Sequence, residues 1–147
     1  MFERILIALD GSEHSLHAAA QGAEVAKRFD AELHLLTVTK PIKLSPKVRD
    51  YFESEHLKGE FTYVLDPMTD DIMSRARAVA EGCGVTRIKT AVREGKPARS
   101  IVDYAKGNKI GLIVIGSRGQ GEVESMLLGS VSHKVSMLSG MSVIIVK

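Results

Sequence analysis

Disulfide capacity is missing from this chain: its 147 residues include one cysteine, Cys83. No intrachain bridge can form, which excludes a secreted disulfide scaffold. An excess of one charge is also lacking. Twenty Lys and Arg face 18 Asp and Glu, a net of +2, whereas a binder of the phosphate backbone usually carries a clear basic stripe. Nucleic acid is therefore not an expected partner. No apolar run approaches the ~18 residues that span a bilayer, so no membrane is expected either. The opening Met1-Phe2-Glu3-Arg4 has no basic-then-apolar leader, and Ile5–Leu9 is short and runs into Asp10-Gly11. Internal repeats and low-complexity linkers are absent too. What remains, with 44% apolar and 26% charged residues, is the composition of one globular domain over residues 1–147. A chain of this length buries roughly 70% of its unfolded surface and needs no staple. The expectation is a single-domain cytoplasmic protein.

Four short apolar runs supply strands: Ile5–Leu9, Leu33–Val38, Leu112–Ile115 and Val143–Val146. Each is nearly continuous rather than alternating, the pattern of strands covered on both faces of a parallel sheet. Val85–Val92 alternates more, with Ile88 and Val92 interleaved with Arg87 and Lys89, and suits a half-exposed edge strand. Helical spacing lies between these runs. Leu16, Ala19, Ala20, Ala23 and Ala26 mark a helix over Ser12–Phe29. Ser12 is its N-cap, in a capping box left incomplete by Ser15. Ile72, Ala76, Val79 and Ala80 mark a second helix, ended by Gly82 and Gly84. Pro97 suits a first helical position, followed by Ala98, Ile101, Val102 and Ala105 up to Gly107. Leu127, Val131, Val135 and Leu138 mark the last helix, closed near Gly140. Between Lys40 and Asp66, only Val48, Tyr51 and Phe52 after Pro46 hint at a helix. The alternation predicts an α/β fold, a doubly wound parallel sheet with right-handed crossovers and helices on both faces.

In such sheets ligands bind beyond the carboxyl ends of the strands, near the switch point in strand order. The segments placed there are Asp10-Gly11-Ser12, Thr37–Lys40, Gly116-Ser117-Arg118-Gly119-Gln120-Gly121 and, opening the last helix, Gly129-Ser130-Val131-Ser132. Residues without a Cβ let backbone N–H groups approach a ligand closely. A helix start adds unpaired N–H donors and the positive end of the dipole. Ser130 and Ser132 add hydroxyls, and Arg118 adds a permanent charge able to fork onto phosphate oxygens. Together these describe a polyphosphate cradle. Glycine count alone does not separate it from a glycine-rich surface turn before a serine-capped helix. Gly95-Lys96 is followed by Pro97, so there is no P-loop, and Glu124 stands where a dinucleotide fingerprint opening at Gly119 needs glycine or alanine. A G-x-S-x-G nucleophile elbow is also missing.

Gly116-x-x-Gly119, nine residues, then Gly129-Ser130 has the form G-2x-G-9x-G-[S/T]. With Arg4–Ser12, Leu33–Val38, Ile110–Gly116, Leu127–Ser132 and Val143–Val146, it resembles the nucleotide-binding subclass of the universal stress protein family along nearly the whole chain. The resemblance implies a single open five-stranded parallel sheet in order 3-2-1-4-5, Rossmann-like and similar to the adenine nucleotide alpha hydrolase fold. It implies a homodimer, and the last strand, Val143–Val146, is a candidate edge for that pairing. It also implies bound ATP, for which Mg²⁺ or Mn²⁺ is the expected companion. By resemblance, backbone groups of Gly116, Gly119, Gly129 and Ser130 meet ribose and phosphates, and Ser130, Val131 and Ser132 face the phosphates. Asp10 lies beside the nucleoside or its metal-bound phosphates, and Ala8 and Val38 line the adenine slot. Arg118 stands at a variable motif position, so its phosphate contact rests on charge alone. Gly111 and Ser142 depart from the usual aspartate and proline of the family and lie outside the glycine motif.

Other candidates have plainer readings. His14 and His17 lie one turn apart, but zinc sites need three or four ligands, so both are expected on the solvated face of the first helix. His133 is expected in solvent. Cys83 sits in a helix-ending turn, without a visible electropositive setting. Arg87–Arg99 carries five basic residues against Glu94 and reads as a solvated face, with anion steering as the lesser role. Asp10 is the one carboxylate expected in the pocket, enough to touch a metal-bound phosphate but thin for fast hydrolysis. No catalytic residue and no protein-built metal centre are assigned. Three readings remain: a regulatory ATP-binding module in a stress response with slow or no hydrolysis, a metal-dependent nucleotide hydrolase, or a dimeric interaction protein without nucleotide.

Overall fold

A computed structural model describes residues 1–40, 46–47, 50–51, 58–119, 121 and 127–147, and over 58–66 its backbone alone. Val48 and Phe52 of the expected helix, and Gln120 of the glycine segment, lie outside the described residues. Strands β1 (Arg4–Leu9), β2 (Glu32–Thr39), β3 (Ile88–Glu94), β4 (Leu112–Gly116) and β5 (Ser142–Val146) alternate with helices α1 (Glu13–Phe29), α2 (Lys58–Gly82), α3 (Pro97–Gly107) and α4 (Ser130–Leu138). All four strand pairings are parallel, in the order β3-β2-β1-β4-β5. This is the doubly wound Rossmann-like sheet expected from the alternation and the resemblance.

The continuous apolar runs have their physical reason in two cores. Ile5, Ile7 and Leu9 of β1 pack with the alanines of α1 and with Ala76 and Ala80 of α2. Leu6 and Ala8 pack on the opposite face with Ile101 and Ala105 of α3 and Val135 of α4. Central strands therefore need apolar residues at consecutive positions. β3, at the sheet edge, exposes all but Ile88 and Ala91, which are half-buried.

Three element details correct the sequence reading. α1 buries Ser15, Ala18, Ala19, Gly22, Ala23 and Ala26, while Leu16 and Ala20 lie at the flank of that stripe. Small residues face the sheet because the helix packs close to it, so the bulkiest apolar residue is a poor guide to the inner face. α2 begins well before Ile72 and runs through Pro67. Pro67 and Met68 are exposed, so the apolar period appears only in the C-terminal part that packs. α4 begins at Ser130, which leaves Leu127 outside it and 87% exposed, and Leu138 is also exposed.

Candidate functional site

Order β3-β2-β1-β4-β5 puts the switch point between β1 and β4, and the carboxyl ends of these strands open into a cavity of about 330 Å³. Small-molecule sites commonly span about 300–1,000 Å³. Every site residue expected from the sequence lines it: Ala8, Asp10, Val38, Gly116, Arg118, Gly119, Gly129, Ser130, Val131 and Ser132. Leu9, Ser15, Leu36, Lys40, Pro97, Ile101 and Ile115 complete the lining. The wall is apolar where Ala8, Leu36, Val38, Ile101 and Ile115 meet, and polar around Asp10, Arg118 and the start of α4.

Two strand-end turns are locked together. Asp10 Oδ1 accepts from the Ser12 backbone N–H at 2.9 Å and from its hydroxyl at 2.5 Å. Ser12 Oγ in turn accepts from the Ser15 N–H at 3.2 Å, so the expected N-cap is real. A Cβ at Gly119 would lie 2.6 Å from Asp10 Oδ2, and one at Gly116 would lie 2.8 Å from the His14 backbone carbon. Glycine is needed at Gly116, where the neighbour is the α1 backbone; at Gly119 a side chain would push aside the Asp10 carboxylate. His14 is therefore half-buried against β4, with Nδ1 3.5 Å from Ser117 Oγ, and not on the solvated face expected for it. Its side chain faces inward because the true inner face of α1 is rotated toward Ser15. His17 and His133 are exposed.

The glycine loop is also tied to α4. The carbonyl of Ser117 accepts from the Gly129 N–H at 2.5 Å and from the Ser132 hydroxyl at 2.9 Å. Ser132 is buried, with its hydroxyl also 3.1 Å from the Gly129 carbonyl, so the hydroxyl proton serves the loop and not the cavity. The α4 N-cap is Gly129, which supplies no side-chain cap. The first turn of that helix therefore presents backbone donors toward the cavity. Among buried side-chain polar atoms of the described residues, Thr37 Oγ1 and Arg118 Nε have no hydrogen-bond partner. Arg118 belongs to the cavity wall.

Beneath the apolar wall lies a polar link that the sequence reading missed. His34 of β2 is buried, with Nδ1 2.9 Å from Tyr104 Oη on α3 and Nε2 2.9 Å from Glu32 Oε1. Glu32 also meets Lys89 at 3.2 Å and Arg4 at 3.6 Å. The hydrogen bond from His34, with help from Lys89, holds the Glu32 carboxyl below its ordinary range against the opposing pull of desolvation. Burial raises the Tyr104 hydroxyl above its ordinary value, against the lowering effect of Arg93, whose guanidinium lies 5.3 Å from the ring centroid. The only sequence signal was a histidine inside an apolar run. Lys40, within the Thr37–Lys40 segment expected at the strand ends, also lines the cavity, although it was not among the assigned site residues.

Three of the five basic residues in the segment Arg87–Arg99 are paired at the surface. Arg87 meets Asp30, Lys89 meets Glu32, and Arg99 meets Asp103. Among the described residues, no three His, Cys, Asp or Glu side chains gather as a metal centre. No described helix is long and apolar enough to cross a membrane.

Comparison with known proteins agrees with this architecture. Universal stress protein YxiE of Bacillus subtilis is 36% identical, with both chains covered in full. Universal stress protein MJ0531 of Methanocaldococcus jannaschii is 33% identical over the whole of this chain and 83% of its own length. A universal stress protein solved in complex with cAMP superposes with a TM-score of 0.73 at 25% identity, covering 99% of this chain and 97% of its own. The universal stress protein family description matches residues 1–147. The parallel sheet, the strand-end cavity and these end-to-end matches agree: the chain belongs to the universal stress protein family.

Proposed function

We propose that this protein is a regulatory module that binds an adenine nucleotide, ATP in particular, and hydrolyses it slowly or not at all as part of a stress response. The observation that carries the reading is that all ten residues expected from the motif and its context line one cavity at the switch point. The apolar wall of Ala8, Leu36, Val38 and Ile115 suits a purine, which needs a flat dry slot. The glycine loop and the α4 start suit phosphates, which need backbone donors and positive potential. The solved relative bound to cAMP supports the same ligand class.

Asp10 is the only carboxylate among the described lining residues, and one of its oxygens is already engaged by Ser12. That fits Mg²⁺ or Mn²⁺ held mainly by the phosphates, with Asp10 contributing one ligand directly or through water. When bound, such an ion screens phosphate charge. Asp10 positions the phosphate end, the loop amides hold it, and the apolar wall excludes water from the base. A single partly engaged carboxylate, with no histidine among the described lining residues, offers no clear base for activating water there. A homodimer through β5 forms part of this proposal, supported by the position of that strand at the sheet edge with Ile144 partly exposed.

Titration of the purified protein with ATP, alongside the Gly119→Ala/Gly129→Ala variant, tests the reading. Wild-type saturation and at least roughly tenfold weaker binding in the variant are expected, since Cβ atoms displace loop and ligand. Equal affinity in the two proteins would sink it. Steady-state phosphate release at background level is the expected hydrolysis result.

A further inference from the structure

Resting on the nucleotide reading above, we propose that His34 and Tyr104 are positioning residues for the base. Their hydrogen bond pins α3 to the sheet and so holds the two apolar walls of the cavity at the spacing a flat ring needs. Neither residue is among those that line the cavity. Both are buried, and His34 Nδ1 lies 2.9 Å from Tyr104 Oη. The rings meet edge to face, with centroids 5.8 Å apart. Among the described residues this is the one side-chain hydrogen bond between β2 and α3.

Element periodicity places this bond directly beneath the walls. Alternation along β2 puts His34, Leu36 and Val38 on one face of the sheet, and Leu36 and Val38 line the cavity. Tyr104 follows Ile101 by about one turn of α3 and Pro97 by about two, and both of those also line the cavity. Leu36, Ile101 and Tyr104 share one apolar core. One wall thus rises from His34 and the other from Tyr104, and their bond closes the angle between them. The bond lies about 7 Å below Leu36 along the strand and about 5 Å below Ile101 along the helix.

Both ends of the bond are themselves anchored. His34 Nε2 lies 2.9 Å from Glu32 Oε1, and Glu32 is held by Lys89 of β3 and Arg4 of β1. The Arg93 guanidinium of β3 sits 5.3 Å from the Tyr104 ring centroid, and Arg93 is the register partner of Val38. Three strands therefore fix the polar foot of the slot. The remaining contacts of α3 with the sheet are apolar and set no direction, so helix and strand can slide on them. A hydrogen bond does set direction. Without it the Ile101 wall loses its fixed distance from the Leu36 wall, while the glycine loop and the α4 start keep their own ties.

Titration of the full chain with ATP, and its displacement by inorganic triphosphate, tests this, because the ratio of the two affinities isolates what the nucleoside part contributes. In the wild type ATP is expected to bind at least about tenfold tighter, since even partial burial of a base supplies that much. Tyr104→Phe keeps the ring and removes only the hydroxyl. It should reduce the ratio severalfold and leave triphosphate affinity in place, which also shows that the variant is folded. His34→Gln, whose amide can still donate and accept, should keep more of the ratio than the apolar His34→Leu. The Tyr104→Phe/His34→Leu pair should lose no more of the ratio than His34→Leu alone, the non-additivity of one shared bond. A wild-type ratio in Tyr104→Phe overturns the proposal and leaves the nucleotide site standing, even if urea denaturation shows lower stability. Equal weakening of both ligands, or additive losses in the pair, overturns it as well. A wild type that binds neither ligand, or both alike, overturns the nucleotide reading itself, and this proposal with it.

Discussion

An imidazole among leucines persists only if its nitrogens are bonded. At His34 both ring nitrogens have a partner: Nε2 lies 2.9 Å from Glu32 Oε1, and Nδ1 lies 2.9 Å from the Tyr104 hydroxyl. His34→Ala should therefore cost about 3 kcal/mol in urea denaturation, from lost packing and from two stranded partners. Glu32 gives the pH dependence. Its native carboxyl releases the proton more readily than in the unfolded chain, so its stabilisation is present above the ordinary carboxyl range. That stabilisation is lost as pH falls through the lower native value. Melting temperatures below about pH 5 should fall less steeply in Glu32→Gln than in the wild type. Tyr104 has the opposite sign: its raised native value means that stability is lost as pH climbs past its ordinary value of 10.0. Neither residue drew notice in the sequence, because a strand pattern records which face is buried and not which buried groups meet across elements.

At the scale of elements, α1 depends on the Ser12 cap and on the Asp10 turn that shares it. Ser12→Ala should destabilise by about 1 kcal/mol, read by chemical denaturation, and also loosen Asp10 at the cavity. Ser132 is the corresponding fastener of α4, and Ser132→Ala should cost about 1 kcal/mol by removing one of the two donors to the Ser117 carbonyl. The central strands, α3 and the ten lining positions were legible because apolar runs, Pro97 and the glycine spacing are local signals. The start of α2 was not, since its exposed first part carries no apolar period and Pro67 reads as a stop. The inner face of α1 was misread for a related reason, because alanine and serine carry less weight than Leu16 in any hydrophobic stripe. Leu127 misled in the same way: it is apolar, in phase with the helix after it, and exposed.

For the whole molecule, the two sheet edges differ in character. β3 carries Lys89, Arg93 and Glu94, charges that discourage strand addition. β5 carries Val143, Ile144 and Ile145, beside exposed Met137 and Leu138 on α4. Under the proposed homodimer, light scattering should report twice the 16.0 kDa chain mass, and Ile144→Lys should shift the population toward monomer. A monomer at every concentration in the wild type would refute the pairing.

The contact between Gly119 and Asp10 joins positions more than a hundred residues apart in sequence. During synthesis, a ribosome-bound chain displays β1 and its acidic turn long before the loop that covers them has been made. Because its lining runs from Ala8 to Ser132, the pocket lacks most of one wall in any product that stops before β4 and α4. Ligand capture by this cavity would thus report that synthesis has passed the start of α4, and shorter stop fragments would go unrecognised by it.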